Sequence, residues 1–230
     1  MKRTRILYIG VLIFALFATS FRTPIALGSA NPGVLPPQAR IKGLSLADWT
    51  VREYKAWLEI PASQHPALGY PWSSCYLDHI GNVGLGVPYF ESGSSECTLP
   101  AGMFLYVTVV GSECSNAEAP PFYGGNEEEL RECALTFVPH NLQASVDGIP
   151  IKNIGDYTTL SPLYQLNLPD DNILGAPAGT YNSIAYSTGF ILTPMSVGKH
   201  VVDVFGEIYL DGESIFTYNW TYNITVTKKK

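Results

Sequence analysis

The chain is poor in charged residues and lacks the short motifs that mark common catalytic sites. Charged residues make up 15% of its 230 residues. There is no Gly-x-Ser-x-Gly element, no phosphate-binding P-loop and no dinucleotide fingerprint, so nothing local indicates nucleophilic catalysis or nucleotide binding. No histidine stands two or four residues from another and no Cys-x-x-Cys occurs. We therefore predict no metal site and no cofactor.

Long apolar runs are also scarce, and the one that stands out lies at the start of the chain. Basic residues within the first five positions precede the uncharged run Ile6–Ala18, and small residues follow it. This order predicts a secretory signal peptide over residues 1–30, cleaved after Ala30, with Ala26 and Gly28 as alternative positions. A retained anchor is the competing interpretation, but the run is shorter than the ~20 residues that span a bilayer. We expect the mature chain to be secreted or on the cell surface, with no membrane span.

Positive charge is scarce in the remainder of the chain. The formal net charge is −6, and four of the 14 basic residues lie in the first thirty positions, so the mature part is near −10. This charge repels a phosphate backbone and argues against nucleic acid as a partner. Residues 228–230 form a short basic tail, for which a solvated end is favoured over contact with an anionic surface.

The chain has only four cysteines, all of them in the predicted mature region: Cys75, Cys97, Cys114 and Cys133. An even count in an exported chain predicts two disulfides. Of the three possible pairings, we favour the sequence-local Cys75–Cys97 and Cys114–Cys133. Each would close a loop of about twenty residues and contribute ~3 kcal/mol in the chain-entropy model. A zinc site is the alternative, which the wide spacings disfavour.

Local signals predict two helices in the first half of the chain. Residues 31–43 contain three prolines and are expected to form a linker. Ser45, with Asp48 three residues later, predicts a capped helix that ends before Pro61. A second helix is expected to begin at Asn126, because three glutamates follow where the helix dipole favours negative charge.

The second half of the chain has the pattern of β structure. Apolar and polar residues alternate over 216–227, which predicts a strand with one face in a core and one in water. Asp147-Gly148 and Asp211-Gly212 are typical hairpin turns. We predict a mostly β fold, an antiparallel β-sandwich of immunoglobulin-like or jelly-roll-like type, with the two helices in its N-terminal half. One disulfide-bonded domain would span residues 44–227.

The first predicted helix carries the sharpest candidate site. Trp49, Glu53 and Trp57 lie one turn apart on one of its faces. A carboxylate between two indoles can act as a general acid with a raised pKa, or bind a sugar hydroxyl while the rings stack on the sugar. The alternative is that the indoles pack beneath the sheet and Glu53 reaches solvent or caps a loop. A glycosidase would need a second carboxylate, for which Asp78 and Glu91 are candidates.

Two N-glycosylation sequons lie on the last predicted strand. Asn219 and Asn223 each have a threonine two residues later, and both fall on the polar face. The alternative is that these polar residues serve only as outward-facing strand positions.

A set of short motifs is spread over roughly residues 44–227. These motifs are Trp49 with Trp57 before Pro61, Cys75, Cys97–Gly102, Glu113-Cys114, Val146–Gly148, Ser161–Tyr164, Pro194–His200 and Tyr222–Val226. As a set they resemble a family of exported archaeal and bacterial proteins of unknown function. That family has an aromatic pair after its first cysteine, which is missing from His79–Leu85 here. The resemblance implies an exported globular domain and no particular activity.

These observations favour a non-catalytic surface or extracellular domain. Its partner would be a glycan, a cell-wall component or another protein, and Trp49, Glu53 and Trp57 would form the binding face. An exported hydrolase that acts on carbohydrate, with Glu53 as general acid, is one alternative. A structural subunit of an envelope or filament is the other.

Overall fold

The computed structural model describes residue 31 and the ranges 33–87 and 92–228. The predicted signal peptide, residues 1–30, lies outside the described residues, as do Glu91 and the last two lysines of the basic tail. Within the described ranges, no helix combines the length and the apolar character needed to cross a membrane.

Strands dominate the described residues, with two α-helices in the N-terminal part of the chain. The helices are α1, Leu46–Leu58, and α2, Glu127–Thr136. The strands are β1, Tyr76–Ile80; β2, Val83–Gly86; β3, Gly93–Pro100; β4, Phe104–Ser115; β5, Val138–Val146; β6, Ile149–Pro150; β7, Thr158–Leu160; β8, Tyr164–Leu168; β9, Gly179–Leu192; β10, Gly198–Leu210; and β11, Glu213–Thr227.

The strands form two sheets that pack face to face, which confirms the predicted β-sandwich. Sheet one has the order β1-β2-β4-β9-β7, with β8 also paired to β9, and sheet two has the order β3-β11-β10-β5-β6. Both sheets are mixed rather than wholly antiparallel, because β2 pairs with β4 in parallel and β3 pairs with β11 in parallel. Two parallel strands need a crossover connection between them. The chain makes this connection between β2 and β4 by passing through β3, which lies in sheet two.

Turn chemistry and side-chain alternation account for the C-terminal hairpins. Asp147-Gly148 joins β5 to β6, Asp211-Gly212 joins β10 to β11, and all four residues have positive φ. Such backbone matches the twist of a two-residue hairpin, which Asp-Gly adopts readily. Along β11 the aromatic and aliphatic positions from Tyr218 to Val226 are buried, so the predicted alternation is confirmed.

Helix α1 lies against sheet one and begins as predicted. The Ser45 hydroxyl accepts from the Asp48 backbone N–H while the Asp48 carboxylate accepts from the Ser45 N–H, which is a complete capping box. The segment 31–43, predicted as a linker, is instead packed on the fold. Val34 is buried and forms a bridge with Leu192 at the end of β9. An apolar side chain among the prolines therefore anchors this segment.

Both predicted disulfides are present. Cys75–Cys97 joins the residue before β1 to β3 and so links the two sheets. Cys114–Cys133 joins β4 to α2. The described residues contain no free cysteine.

Removing either disulfide should lower the free energy of unfolding by about 3 kcal/mol, because the two closed loops have nearly equal lengths of 22 and 19 residues. The test is urea unfolding of the double variant Cys114→Ala, Cys133→Ala and, as a matched control, of Cys75→Ala, Cys97→Ala. Losses that differ several-fold between the two variants would contradict an account based on loop closure.

Candidate functional site

A cavity of about 430 Å³ opens beside β4, between α1 and sheet two. Strand β2 pairs with β4 only as far as Tyr106, and no other described strand pairs with that edge over residues 107–114. Residues 108–113 of β4 belong to this open edge and line the cavity. Residues of α1 and residues of β10 and β11 in sheet two complete the walls.

The lining of the cavity is largely apolar and rich in aromatic side chains. Its six aromatic members are Tyr54, Trp57, Phe122, Phe137, Phe216 and Tyr218. Phe122 and Phe137 stack with their ring centroids 4.6 Å apart, which fixes that wall. Ile173 and Leu174 come from the loop between β8 and β9, and Ile215 comes from the start of β11.

Glu53 is one of the polar groups that line this cavity. It is only 2% exposed, so the alternative in which Glu53 reaches solvent is wrong. Burial raises the pKa of Glu53 to about 8, and the neighbouring Thr108 side chain partly opposes this rise. The carboxyl group is therefore largely protonated at neutral pH and acts as a hydrogen-bond donor as well as an acceptor.

The two tryptophans of the predicted binding face lie in different environments. Trp49 is completely buried in the main hydrophobic core, so it offers no surface for a ligand to stack on and its predicted role is corrected. Trp57 lines the cavity, where its ring meets Tyr54 and His65 edge-on at centroid distances of 6.2 and 5.7 Å. Helical spacing placed both indoles on one face, but the sandwich covers only the N-terminal half of that face.

Two carboxyl groups that the sequence analysis did not propose as site residues lie in the same cavity. They are Glu113 on β4 and Glu118 in the loop after it. The candidate Asp78 lies exposed on β1 and does not line the cavity, and Glu91 is outside the described residues. The signal that could have identified Glu113 is an acidic residue beside a disulfide cysteine, at the end of a long apolar strand.

Glu113 and Glu118 form a buried carboxyl pair. The Ser183 hydroxyl donates to Glu113, and the Ser115 hydroxyl donates to Glu118 over 3.1 Å. Burial first, and then the charge and hydrogen bond of Glu118, raise the pKa of Glu113 well above its ordinary value. Burial also raises the pKa of Glu118, although its hydrogen bonds with Glu113 and Ser115 oppose the shift. A carboxyl–carboxyl hydrogen bond requires a proton on one partner, so the pair shares one.

No lysine, arginine or histidine is among the described residues that line the cavity. The lining also contains side-chain hydroxyl groups. Ser112 is 8% exposed, lines the cavity and has no hydrogen-bond partner for its Oγ. Buried hydroxyls are normally satisfied, so Ser112 Oγ has capacity for a ligand or an ordered water.

A second arrangement, on the outside of the sandwich, resembles a serine–histidine–aspartate triad. His200 Nδ1 lies 2.8 Å from Asp147 Oδ2, and His200 Nε2 lies 3.3 Å from Ser196 Oγ. Nε2 is closer, at 2.9 Å, to the Ser196 carbonyl oxygen, which can only accept a hydrogen bond. Nε2 therefore carries a proton and cannot take one from the hydroxyl. The hydrogen bond with Asp147 raises the pKa of His200, as expected for a histidine that donates through both nitrogens.

Among the described residues, no three histidine, cysteine, aspartate or glutamate side chains are arranged to hold one metal ion, so the three glutamates do not form a coordination sphere. Asn219 is exposed and Asn223 is half-buried on β11, and their glycosylation stays a prediction.

No protein-family model, curated protein sequence or solved structure matches this chain.

Glu53→Gln should flatten the dependence of stability on pH. The folded-state pKa near 8 lies above the ordinary value of 4.5, so folding retains a proton that the unfolded chain loses. The free energy of unfolding therefore falls as pH rises between these values, by up to about 1.4 kcal/mol per pH unit from this group alone. Glutamine stays neutral and removes that slope.

The measurement is urea unfolding at pH 5, 6, 7 and 8. Glu128→Gln, on the exposed side of α2, is the control and should retain the wild-type slope. A Glu53→Gln slope equal to that of the wild type would show that the carboxyl group is not held protonated by burial.

Proposed function

We propose that this protein is an exported, non-catalytic binding domain whose ligand occupies the cavity beside α1. The observation that carries the proposal is the cavity itself, which combines a volume of about 430 Å³ with an aromatic lining and a few buried polar groups. Small-molecule sites typically have volumes of about 300–1,000 Å³ and this composition. Glu53 and Ser112 Oγ are the groups that would orient the ligand.

Export is supported by two independent features. The first thirty residues have the order of a secretory signal, and both disulfides are of the kind that persists in oxidising compartments. Membership of the exported family that the motifs resemble is part of the same proposal. Asn219 and Asn223 would then be available to a glycosylation machinery.

The size of the cavity limits the ligand to a small molecule or to one terminal unit of a longer chain. A glycan or cell-wall component would therefore enter by its end rather than lie along a groove. Trp57 supplies the aromatic surface that the sequence assigned to two tryptophans, and Glu53 supplies the hydrogen-bonding group. Glu53 and Trp57, two of the three residues predicted to bind the ligand, therefore line this cavity.

The proposal predicts that narrowing the opening of the cavity removes ligand binding. Ile215 lines the cavity and is 47% exposed, so it stands at the opening. In a thermal-shift screen of the oxidised protein with monosaccharides, soluble cell-wall fragments and small aromatic compounds, a ligand at a hundred times its Kd should stabilise the fold by about 2.7 kcal/mol. Ile215→Trp should abolish the shift.

Ile149→Trp is the matched control for this test. Ile149 is 52% exposed on β6 and does not line the cavity, so this variant should retain the full shift. A shift that persists in Ile215→Trp would place the binding site elsewhere, and the absence of any shift would count against a small-molecule ligand.

One observation favours an exported hydrolase as a second candidate. A glycosidase needs two carboxyl groups, and Glu113 and Glu118 bring such groups into the cavity that holds Glu53. Glu53, with its pKa near 8, would protonate the leaving oxygen, and a second carboxylate would act as nucleophile or base. Of Glu113 and Glu118, the one that is ionised while its partner holds the shared proton is suited to that role.

If the protein is a hydrolase, Glu53→Gln should lower turnover roughly 10²-fold or more, the contribution typical of general acid catalysis. The measurement is reducing-sugar release from soluble polysaccharides, with Glu128→Gln as the control that keeps wild-type turnover. Unchanged release in Glu53→Gln, or none from the wild type on any polysaccharide, would exclude this candidate.

A further inference from the structure

Three carboxyl groups line the cavity without a positively charged partner. Glu53 and Glu113 are both buried, with 2% and 8% of their surface exposed, and Glu118 lies beside Glu113. None of them takes part in an ion pair among the described residues. Buried acids are normally paired, because an isolated charge is costly to remove from water. The protein avoids this cost by keeping the buried acids protonated. A bound cation would offset the cost instead by pairing with the ionised form of an acid.

The aromatic walls of the cavity favour the same kind of occupant. Ring faces attract cations through their quadrupole, by about 0.5–2 kcal/mol per interaction. Trp57 belongs to α1, whereas Phe216 and Tyr218 belong to β11, so a cation in the cavity would meet rings from α1 and from sheet two. An apolar body attached to the cation would fill the remaining space against Ile208 and Leu174.

Ser112 provides a separate indication that the cavity accepts a polar group. Ser112 belongs to the lining of the cavity, and its Oγ is buried without a hydrogen-bond partner. A bare metal ion fits poorly, because the described acidic side chains do not form a coordination set.

We propose that the ligand of this cavity is an organic cation, an ammonium group carried on a compact apolar body, with Glu53 as its counter-ion. This inference rests on the proposed binding function and names the chemical class of the ligand. Glu113 and Glu118 hydrogen-bond to each other and share a proton, which leaves Glu53 as the carboxyl group without a second acid beside it.

Binding of such a cation is coupled to release of one proton. The ammonium enters charged, the Glu53 carboxyl group loses its proton to solvent, and the ion pair that forms has no net charge. The other titratable groups that face this region come from α1, β4, the loop after β4, β8 and β11. They are Tyr54, Tyr106, Glu113, Glu118, Tyr164 and Tyr218. Burial raises the pKa of Tyr54, Tyr106 and Tyr164, so those three phenols stay neutral.

The test compares phenethylamine with 2-phenylethanol, which has the same body and a hydroxyl in place of the ammonium. Calorimetric titration at pH 6.0 and 8.5, in buffers of different ionisation enthalpy, measures affinity and proton release together. We expect the affinity for the amine to rise about tenfold or more between these pH values. At pH 6.0 Glu53, with its pKa near 8, must lose a proton when the amine binds, whereas at pH 8.5 it is already mostly ionised. Binding of the alcohol should not change with pH.

Two variants separate this inference from the proposed function. Glu53→Gln should lower the affinity for the amine at pH 8.5 at least tenfold and abolish proton release, while the alcohol binds as before. Ile215→Trp should abolish binding of both compounds. The isostere comparison on the wild-type protein needs no variant, so it decides the matter even if Glu53→Gln does not fold.

Equal affinity for the two compounds at both pH values, lost in Ile215→Trp, would overturn the cation inference and leave the binding function standing. Amine binding that survives in Ile215→Trp, or no binding of either compound, would overturn both. Retention of pH-linked amine binding in Glu53→Gln would overturn the assignment of the counter-ion.

Discussion

The antiparallel pairing of β4 with β9 is the contact on which the rest of this structure depends. It runs from Leu105↔Leu192 to Ser115↔Ser183 and forms the centre of sheet one. Helix α1 and sheet two both lie against this part of the fold, and Cys114 ties α2 to the same strand. Because no other described strand pairs with the second edge of β4 over residues 107–114, the strand that supports the core also leaves the opening from which the cavity is built.

Features set by neighbouring residues could be predicted from the sequence. The capping box at Ser45, the Asp-Gly hairpins and the two sequence-local disulfides all depend on short-range geometry, and each is present. The parallel pairings of β2 with β4 and of β3 with β11 could not be predicted, because they join strands whose crossover no local signal encodes. Val34 was missed for a related reason, since its partner Leu192 lies far along the chain.

The candidate site shows the same division. Helical spacing identified Glu53 and Trp57 as neighbours on one face, but it could not tell which half of that face the sandwich covers, and so Trp49 was misassigned. Glu113 reaches the cavity past a break in strand register between Thr108 and Val110, which shifts the alternation of β4. Glu118 arrives through a loop. Neither position follows from periodicity alone.

The rim of the cavity has a different origin from its floor. Its floor is β4, held by pairing with β9, whereas Ile173, Leu174 and Glu118 stand on connecting loops. Loops tolerate substitution and insertion far better than paired strands do. Related proteins can therefore diverge in what they recognise through changes at these few rim positions, while the strand pairing that maintains the fold stays intact.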